Sequence, residues 1–209
     1  FSWVLFGDAN TTYFQAQARQ RQRTNRITSL TRADGSAYAT DTEVKEEILA
    51  FYQALYSSQG VHDANALLSH VPTRVTPAMN DLLCKPFEPS EVRQALFQMA
   101  PSKAPGVDGF TAGFFQRHWE LLGEAVTKAV LNFLNGGELP TGINDTSITL
   151  IPKVWYPQRI AQYRPISLCS VLYKIASKYI TNRARCFMGE IISAEQSAFV
   201  PGRMILIIF

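Results

Sequence analysis

Residues 146–185 read TSITLIPKVWYPQRIAQYRPISLCSVLYKIASKYITNRAR, and they decide the fold class because a strand pattern precedes a helix pattern. Apolar residues alternate over 146–151, with Ile148 and Leu150 on one face, which predicts a strand that ends at Pro152. Ser170 can cap the helix that follows. The inner stripe of that helix has helical spacing and contains Leu172, Ile175, Ala176, Tyr179 and Ile180.

The residues before this stretch predict mainly helices, so the chain is expected to be α+β and helix-rich. The predicted elements are a hairpin over 27–39 with a type I′ turn at Asp34-Gly35, a helix after a Thr40–Glu43 capping box, a helix from about Ser90, and a long helix from about 112 to 135 that Gly136 ends. Two prolines and two glycines make residues 101–110 a shaped loop.

Composition excludes several classes of protein. The chain has 209 residues, of which 46% are hydrophobic and 18% charged, so it can form a core and disorder is not expected. Its longest apolar run, residues 204–209, is far too short to span a bilayer. Cys84, Cys169 and Cys186 are too widely spaced for a zinc motif or a disulfide framework, so a reducing intracellular location (nucleus or cytoplasm) is expected.

Positive charge is concentrated in the last quarter of the chain. Residues 1–152 carry 12 Lys and Arg against 15 Asp and Glu, a net charge of −3. Residues 153–209 carry 8 against 2, a net charge of +6. This asymmetry is typical of a segment that meets a polyanion, although a solvated basic helix face would give the same count.

Several motifs agree in order and spacing. They are Lys103 to Gly109, Phe114-Phe115 with Trp119, Asn144 to Thr146, Leu150 to Lys153, Tyr163 to Cys169, Tyr173 to Ile175 with Ser177-Lys178 and Arg183, and Gln196 to Arg203. In this order they resemble the N-terminal part of a reverse transcriptase from a plant-like non-LTR (LINE-type) retrotransposon. Upstream, residues 6–11, the arginines near residue 20 and Asp34-Gly35 resemble the segment that joins endonuclease to polymerase in such polyproteins.

The resemblance implies a truncated right-hand polymerase with fingers elements and an incomplete palm, preceded by a helical N-terminal extension. Residues 1–80 would form the linker, with an arginine-rich segment, a hairpin and a helix. Residues 81–209 would form the N-terminal part of the reverse transcriptase domain, which stops before the catalytic palm.

Two cations match family residues that contact the incoming triphosphate. Lys153 directly follows the predicted strand, so the root of its side chain would be fixed. Arg164 precedes Pro165, whose ring restricts it to extended backbone. A guanidinium can grip phosphate oxygens with two parallel bonds, whereas an ammonium acts as a point charge. The alternative is two surface cations beside a loop.

Three further groups match or suggest contacts to template or nucleic acid. They are Lys103, Gly106 and Gly109 of the shaped loop; Gln196, Phe199, Gly202 and Arg203 of the last motif; and Arg19, Arg21 and Arg23 of the N-terminal segment. Asp108 is expected to form a turn rather than to bind a metal. Arg203 could equally be a buried structural arginine, and the N-terminal arginines could line an exposed helix face.

The polymerase reaction needs aspartates around two metal ions. In the family these residues follow the last motif, but the last aspartate here is Asp145 and no acid follows Glu195. The complete family enzyme is expected to use Mg²⁺, a dNTP, an RNA template and a DNA primer. This stretch is expected to supply nucleotide and template contacts, no catalytic residue and no metal site, and therefore to be inactive alone. The alternatives are a non-catalytic nucleic-acid-binding remnant of a retroelement and a helical interaction protein.

Overall fold

The computed structural model describes residues 40–58, 60, 68–196, 200, 202 and 203, with positions 12, 15, 16, 19, 20, 23, 25–27, 30–32 and 35–38. The predictions made for Arg21, Asp34, Phe199 and the apolar run 204–209 lie outside these residues. The chain forms two compact units. The first unit contains Phe1–Gly60 and Thr149–Ile166, and the second contains Val61–Ile148 and Ser167–Phe209.

The described helices and strands follow one another along the chain in a mainly helical order. They are α1 (Asp41–Tyr56), α2 (Pro77–Leu83), α3 (Pro89–Phe97), α4 (Ala112–Arg117), α5 (Trp119–Leu134), β1 (Ser147–Pro152), a 3₁₀ turn (Ile160–Gln162), β2 (Tyr163–Leu168), α6 (Val171–Arg185) and α7 (Met188–Ile191). β1 and β2 form a two-stranded sheet.

The core of the first unit lies between α1, the 3₁₀ turn and the two strands. The predicted capping box is confirmed, because the Glu43 amide donates to the Thr40 hydroxyl and the Thr40 amide donates to the Glu43 carboxylate, both at 3.2 Å. The buried members of this core are Leu30, Val44, Tyr52, Ile160 and Tyr163, with Leu150 packed against them.

The predicted N-terminal hairpin is described only in part, because residues 28, 29, 34 and 39 lie outside the described residues. The observed bridge joins Thr31 and Ala37 in antiparallel pairing, and Ala37 belongs to the predicted second segment. The Arg32 amide donates to the Ser36 carbonyl at 2.7 Å, which leaves three residues between them instead of the two of a type I′ turn. Gly35 has a φ of 87°, a conformation that glycine adopts without steric cost.

The core of the second unit joins one face each of α3, α4, α5 and α6. Its buried residues are Val92, Ala95, Leu96, Ala112, Phe115, Val126, Val130, Val171, Ile175, Ala176 and Tyr179. The predicted cap of α6 is confirmed, because the Tyr173 amide donates to the Ser170 hydroxyl at 3.3 Å. Gln116 ties α4 to the end of α3, since its amide nitrogen donates to the Leu96 and Met99 carbonyls at 2.9 Å.

Two helix predictions were wrong in detail. The long helix over 112–135 is broken at His118, where φ is −106° and ψ is 26°. The bonds of Gln116 and a bond from the Gly113 amide to the Pro101 carbonyl hold α4 in its own direction. Ile180 was assigned to the inner stripe of α6, but it is 52% exposed because the packed face runs through Ile175, Ala176 and Tyr179 to Arg183.

The hairpin made by β1 and β2 has a defined register. The Lys153 amide donates to the Gln162 carbonyl at 2.8 Å, just beyond the paired ends. This pairing sets Ile151 opposite Arg164, and because side chains alternate along a strand, Lys153 lies on the face of Ile151 and Arg164. Tyr163 and Leu150 point the other way, into the core of the first unit.

The helix-rich composition and the small sheet agree with the predicted α+β class in outline. The assignment to a truncated polymerase fold remains a prediction. The compact units group residues 149–166 with the first 60 residues. The predicted division at residue 80 separates a linker from a reverse transcriptase domain by sequence resemblance, and it also remains a prediction. Within the described residues, no helix is both long and apolar enough to cross a membrane.

Candidate nucleic-acid interface

The hairpin that carries Lys153 and Arg164 is braced at its open end. The Lys153 ammonium donates to the Ala161 carbonyl at 2.8 Å, in addition to the backbone bond from Lys153 to Gln162. The side chain of Gln162 accepts from the amides of Gln158 at 2.7 Å and Arg159 at 3.0 Å. The amide oxygen of Gln162 therefore organises the loop between the strands.

A second connection fixes the loop within the first unit. The Thr31 amide donates to the Gln158 carbonyl at 2.8 Å, and Ile160 is 6% exposed. Burial also raises the pKa of the Tyr163 hydroxyl. The loop between the strands is therefore attached to its own unit on both sides of residues 154–157.

Arg164 lies next to the buried Tyr163 and points to the opposite face. Its side chain is exposed, and it has no hydrogen-bond or ion-pair partner within the described part of the chain. Lys153 is exposed as well and uses one of its three N–H donors on Ala161. The structure thus brings these two predicted residues together on one solvent-facing side of the hairpin.

The predicted loop 101–110 belongs to the second unit. Lys103 is exposed. A Cβ added at Gly106 would lie 2.6 Å from the Ser170 nitrogen, so this glycine permits close approach to the start of α6. Gly109 has a φ of 75° and open space around its α-carbon. The turn role of Asp108 is confirmed, because the Phe110 amide donates to its carboxylate at 3.2 Å.

The loop is also tied to α6 by a side chain. The Lys174 ammonium donates to the Ala104 carbonyl at 2.8 Å. This bond and the close approach at Gly106 show that Gly106 packs the loop against α6. That function does not require Gly106 to contact a phosphate. Lys103 and Gly109 stay accessible beside it.

Arg203 is a structural residue in the second unit. Its guanidinium donates to four backbone carbonyls, those of Gly189, Ile192, Ser193 and Gln196. Gly189 lies in the short helix α7 and the other three residues follow it, where the end of a helix leaves carbonyls without partners in the helix. Gln196 and Gly202 are exposed, and Gly202 has a φ of 78°.

Within the described residues, neither Arg19 nor Arg23 forms a hydrogen bond or an ion pair with Lys153 or Arg164. Arg19 and Arg23 are helical and exposed. Arg26 pairs with the Asp41 carboxylate at the start of α1. The pair is more than half exposed on both sides, so its contribution to stability is small.

The sequence reading missed the role of Arg183. Its guanidinium forms two parallel bonds to the Glu91 carboxylate at 3.1 and 2.8 Å, and it also donates to the Tyr179 hydroxyl at 3.0 Å. The Tyr179 hydroxyl donates to Glu91. Hydrogen bonding to Arg183 lowers the pKa of the Glu91 carboxyl, and burial raises the pKa of Tyr179. The four-residue spacing of Tyr179 and Arg183 on α6 was the available signal.

Among the described residues, no group of three or more His, Cys, Asp or Glu side chains could hold a metal ion. The donor set that Mg²⁺ prefers, several oxygen ligands around one point, is therefore not formed by these residues.

No protein-family model matches the chain. Over 200 residues, which are 95% of this chain, the sequence is 32% identical to the transposon TX1 uncharacterized 149 kDa protein of Xenopus laevis. The chain spans 15% of the length of that protein. An identity of this size over nearly the whole chain means common descent, and the chain is therefore homologous to one part of a transposon protein.

Proposed function

We propose that this chain is part of an RNA-directed DNA polymerase of a non-LTR retrotransposon, in which it contributes contacts to the incoming nucleotide and to the template. The observation that carries the proposal is the exposure of Lys153 and Arg164 on one face of a braced hairpin. The homology to a transposon protein supports it.

The geometry suits recognition of a triphosphate. A dNTP brings several negative charges, and its α-phosphate must be held in line with the primer hydroxyl. Arg164 offers a guanidinium fork that has no partner among the described residues, and Lys153 follows the strand and offers an ammonium with one of its donors on the Ala161 carbonyl. Because the hairpin backbone is braced, binding of an anion has to order the side chains of Lys153 and Arg164 but not the backbone that carries them.

The same proposal assigns the chain no catalytic residue. Residues 146–209 contain no aspartate and have only Glu190 and Glu195 as acids. Other residues would have to supply the carboxylates that bind Mg²⁺ in a polymerase. The RNA template and the DNA primer would reach a working arrangement only with those residues present. The expected activity of these 209 residues is therefore binding.

Photo-cross-linking of an azido-dATP analogue to the 209-residue chain tests the proposal. Arg164→Ala should weaken nucleotide binding about 10- to 150-fold, the effect of losing one charged hydrogen-bonding partner worth roughly 1.5–3 kcal/mol. Arg164→Lys should lie between, because it keeps the charge and loses the fork. Arg185→Ala is the matched control, since Arg185 is also an exposed arginine.

Equal labelling of Arg164→Ala and the unmodified chain would contradict the nucleotide site, as would an equal loss in Arg185→Ala. Lys153→Ala is the less clean variant because its ammonium also braces the loop through Ala161. Circular dichroism of each variant checks that the fold is retained.

A second candidate function is non-catalytic binding of nucleic acid. The absence of any acid between Asp145 and Glu190, across seven Lys and Arg residues, favours it. For a single strand, each phosphate contact adds about −0.7 to the slope of the log of the binding constant against the log of the salt concentration. A salt titration with single-stranded RNA should therefore give a clearly negative slope, and binding that does not depend on salt would remove this candidate.

A further inference from the structure

The tip of the β1–β2 hairpin exposes two large aromatic side chains. Trp155 is 92% exposed and Tyr156 is 91% exposed, and the preceding Val154 is 45% exposed. Tryptophan and tyrosine usually bury most of their surface, in a core or at an interface. Two adjacent aromatic rings in water indicate a surface that is covered when a partner binds.

The base of the hairpin holds this tip in place. The side chain of Gln162 accepts hydrogen bonds from two backbone amides of the loop. The Lys153 amide donates to the Gln162 carbonyl, and the Lys153 ammonium donates to the Ala161 carbonyl. Ile160 is buried in the first unit. Tyr156 itself has a φ of 58°, in the left-handed region that a tyrosine rarely adopts. The aromatic rings therefore stand on a braced loop.

The charges of the hairpin itself indicate the chemistry of the partner. Between Asp145 and Glu190 the sequence has no acid, and the hairpin carries Lys153, Arg159 and Arg164. Arg159 lines a cavity together with Glu47 of α1, which offsets part of its charge, whereas Lys153 and Arg164 lie on the exposed face of the hairpin. Aromatic rings interleaved with cations match a strand whose bases present flat faces and whose backbone is anionic. A purely apolar partner would gain nothing from the three cations.

We infer that Trp155 stacks against a base of single-stranded nucleic acid, with Tyr156 as a second stacking surface and the nearby cations on the phosphates. This inference deepens the proposed function and rests on it, because it places the strand at the hairpin that carries the nucleotide contacts. It assigns Trp155 and Tyr156 a role that the sequence pattern did not indicate.

The test measures binding of fluorescent 12-nucleotide single strands of RNA and DNA to the 209-residue chain by anisotropy. Trp155→Ala should weaken binding about 5- to 150-fold, the effect of losing one stacked base. Trp155→Phe should recover most of that loss. Leu121→Ala is the matched control, because Leu121 is also highly exposed and apolar, at 81%, and lies outside the hairpin.

An abasic strand separates stacking from electrostatics. If Trp155 contacts a base, the unmodified chain should bind a strand without bases at least as weakly as Trp155→Ala binds a normal strand, because the contact to Tyr156 is lost as well. The Trp155→Ala substitution should change nothing on the strand without bases. The slope of log K against log salt should be the same with and without Trp155, because no phosphate contact is lost.

Two results would overturn the inference: equal binding of Trp155→Ala and the unmodified chain to normal strands, or an equal loss on normal and abasic strands. Self-association of the chain that Trp155→Ala abolishes, with no effect on strand binding, would assign the tip to a protein contact and overturn it too. Failure of the proposed function is seen separately, since azido-dATP labelling of Arg164→Ala does not depend on Trp155.

Discussion

Replacement of Arg183 by alanine is the most direct test of how the second unit is held together. The guanidinium of Arg183 bonds the Glu91 carboxylate on α3 and the Tyr179 hydroxyl on α6. It also donates to the carbonyls of Leu83, Lys85 and Pro86, which connect α2 to α3. One side chain therefore joins two helices and the segment before them.

The expected loss can be worked out from these contacts. Removal of one partner from a buried, hydrogen-bonded ion pair costs about 3–5 kcal/mol. The Arg183 side chain is 11% exposed but that of Glu91 is 32% exposed, so water can solvate part of the remaining carboxylate. We therefore expect the low end, about 3 kcal/mol. For a chain of this size that loss lowers Tm by roughly 6–12 °C.

Thermal unfolding followed by circular dichroism measures the change. Arg183→Lys should lie between the unmodified chain and Arg183→Ala, because it keeps the charge but cannot form two parallel bonds to Glu91. Arg185→Ala lies on the same helix and is exposed, so it should change stability by no more than about 0.5 kcal/mol. A loss below about 1 kcal/mol for Arg183→Ala, or one equal to that of Arg185→Ala, would refute the reasoning.

Three further predictions follow from single residues. Gly106→Ala should cost about 1–3 kcal/mol in urea unfolding, because its Cβ would meet the Ser170 backbone at 2.6 Å, whereas Gly189→Ala has open space and should cost little. Tyr52→Phe should not destabilise the chain, since its buried hydroxyl has no partner in the described structure, and a loss above about 1.5 kcal/mol would reveal one. The pKa of Glu91 is lowered in the folded chain, so the unfolded chain binds more protons at acid pH. The free energy of unfolding should therefore fall as pH drops below about 4.3. Glu91→Gln should make that fall less steep when unfolding is measured across an acid titration.

Local signals in the sequence predicted the features that depend on a few neighbouring residues. The Thr40–Glu43 capping box and the Ser170 cap each require only side chains within three positions of the helix start, and both are present. The turn at Asp108 is of the same kind. Such bonds form whatever the rest of the chain does, so sequence spacing is sufficient to identify them.

Features that depend on distant residues were not predictable in the same way. The break at His118 arises because Gln116 bonds the end of α3, about twenty positions away. The role of Gly106 depends on the start of α6. The apolar residues beside Lys153, in a region without acids, were a weak signal for an exposed aromatic residue at Trp155. The exposure of Trp155 follows from the braced loop, which no spacing rule describes.

The positive charge of residues 153–209 overstates what is available to a nucleic acid. Arg183 and Arg203 direct their guanidinium groups at a carboxylate or at backbone carbonyls. Lys174 has one bond to the Ala104 carbonyl. A phosphate would have to displace these bonds, whereas Arg164 forms no such bond within the described residues. Lys178 and Arg185 on α6 also lack such a bond there, so unpaired donors alone do not separate α6 from the hairpin. The hairpin is the better candidate for phosphate binding because Arg164 shares one braced element with Lys153 and the exposed ring of Trp155.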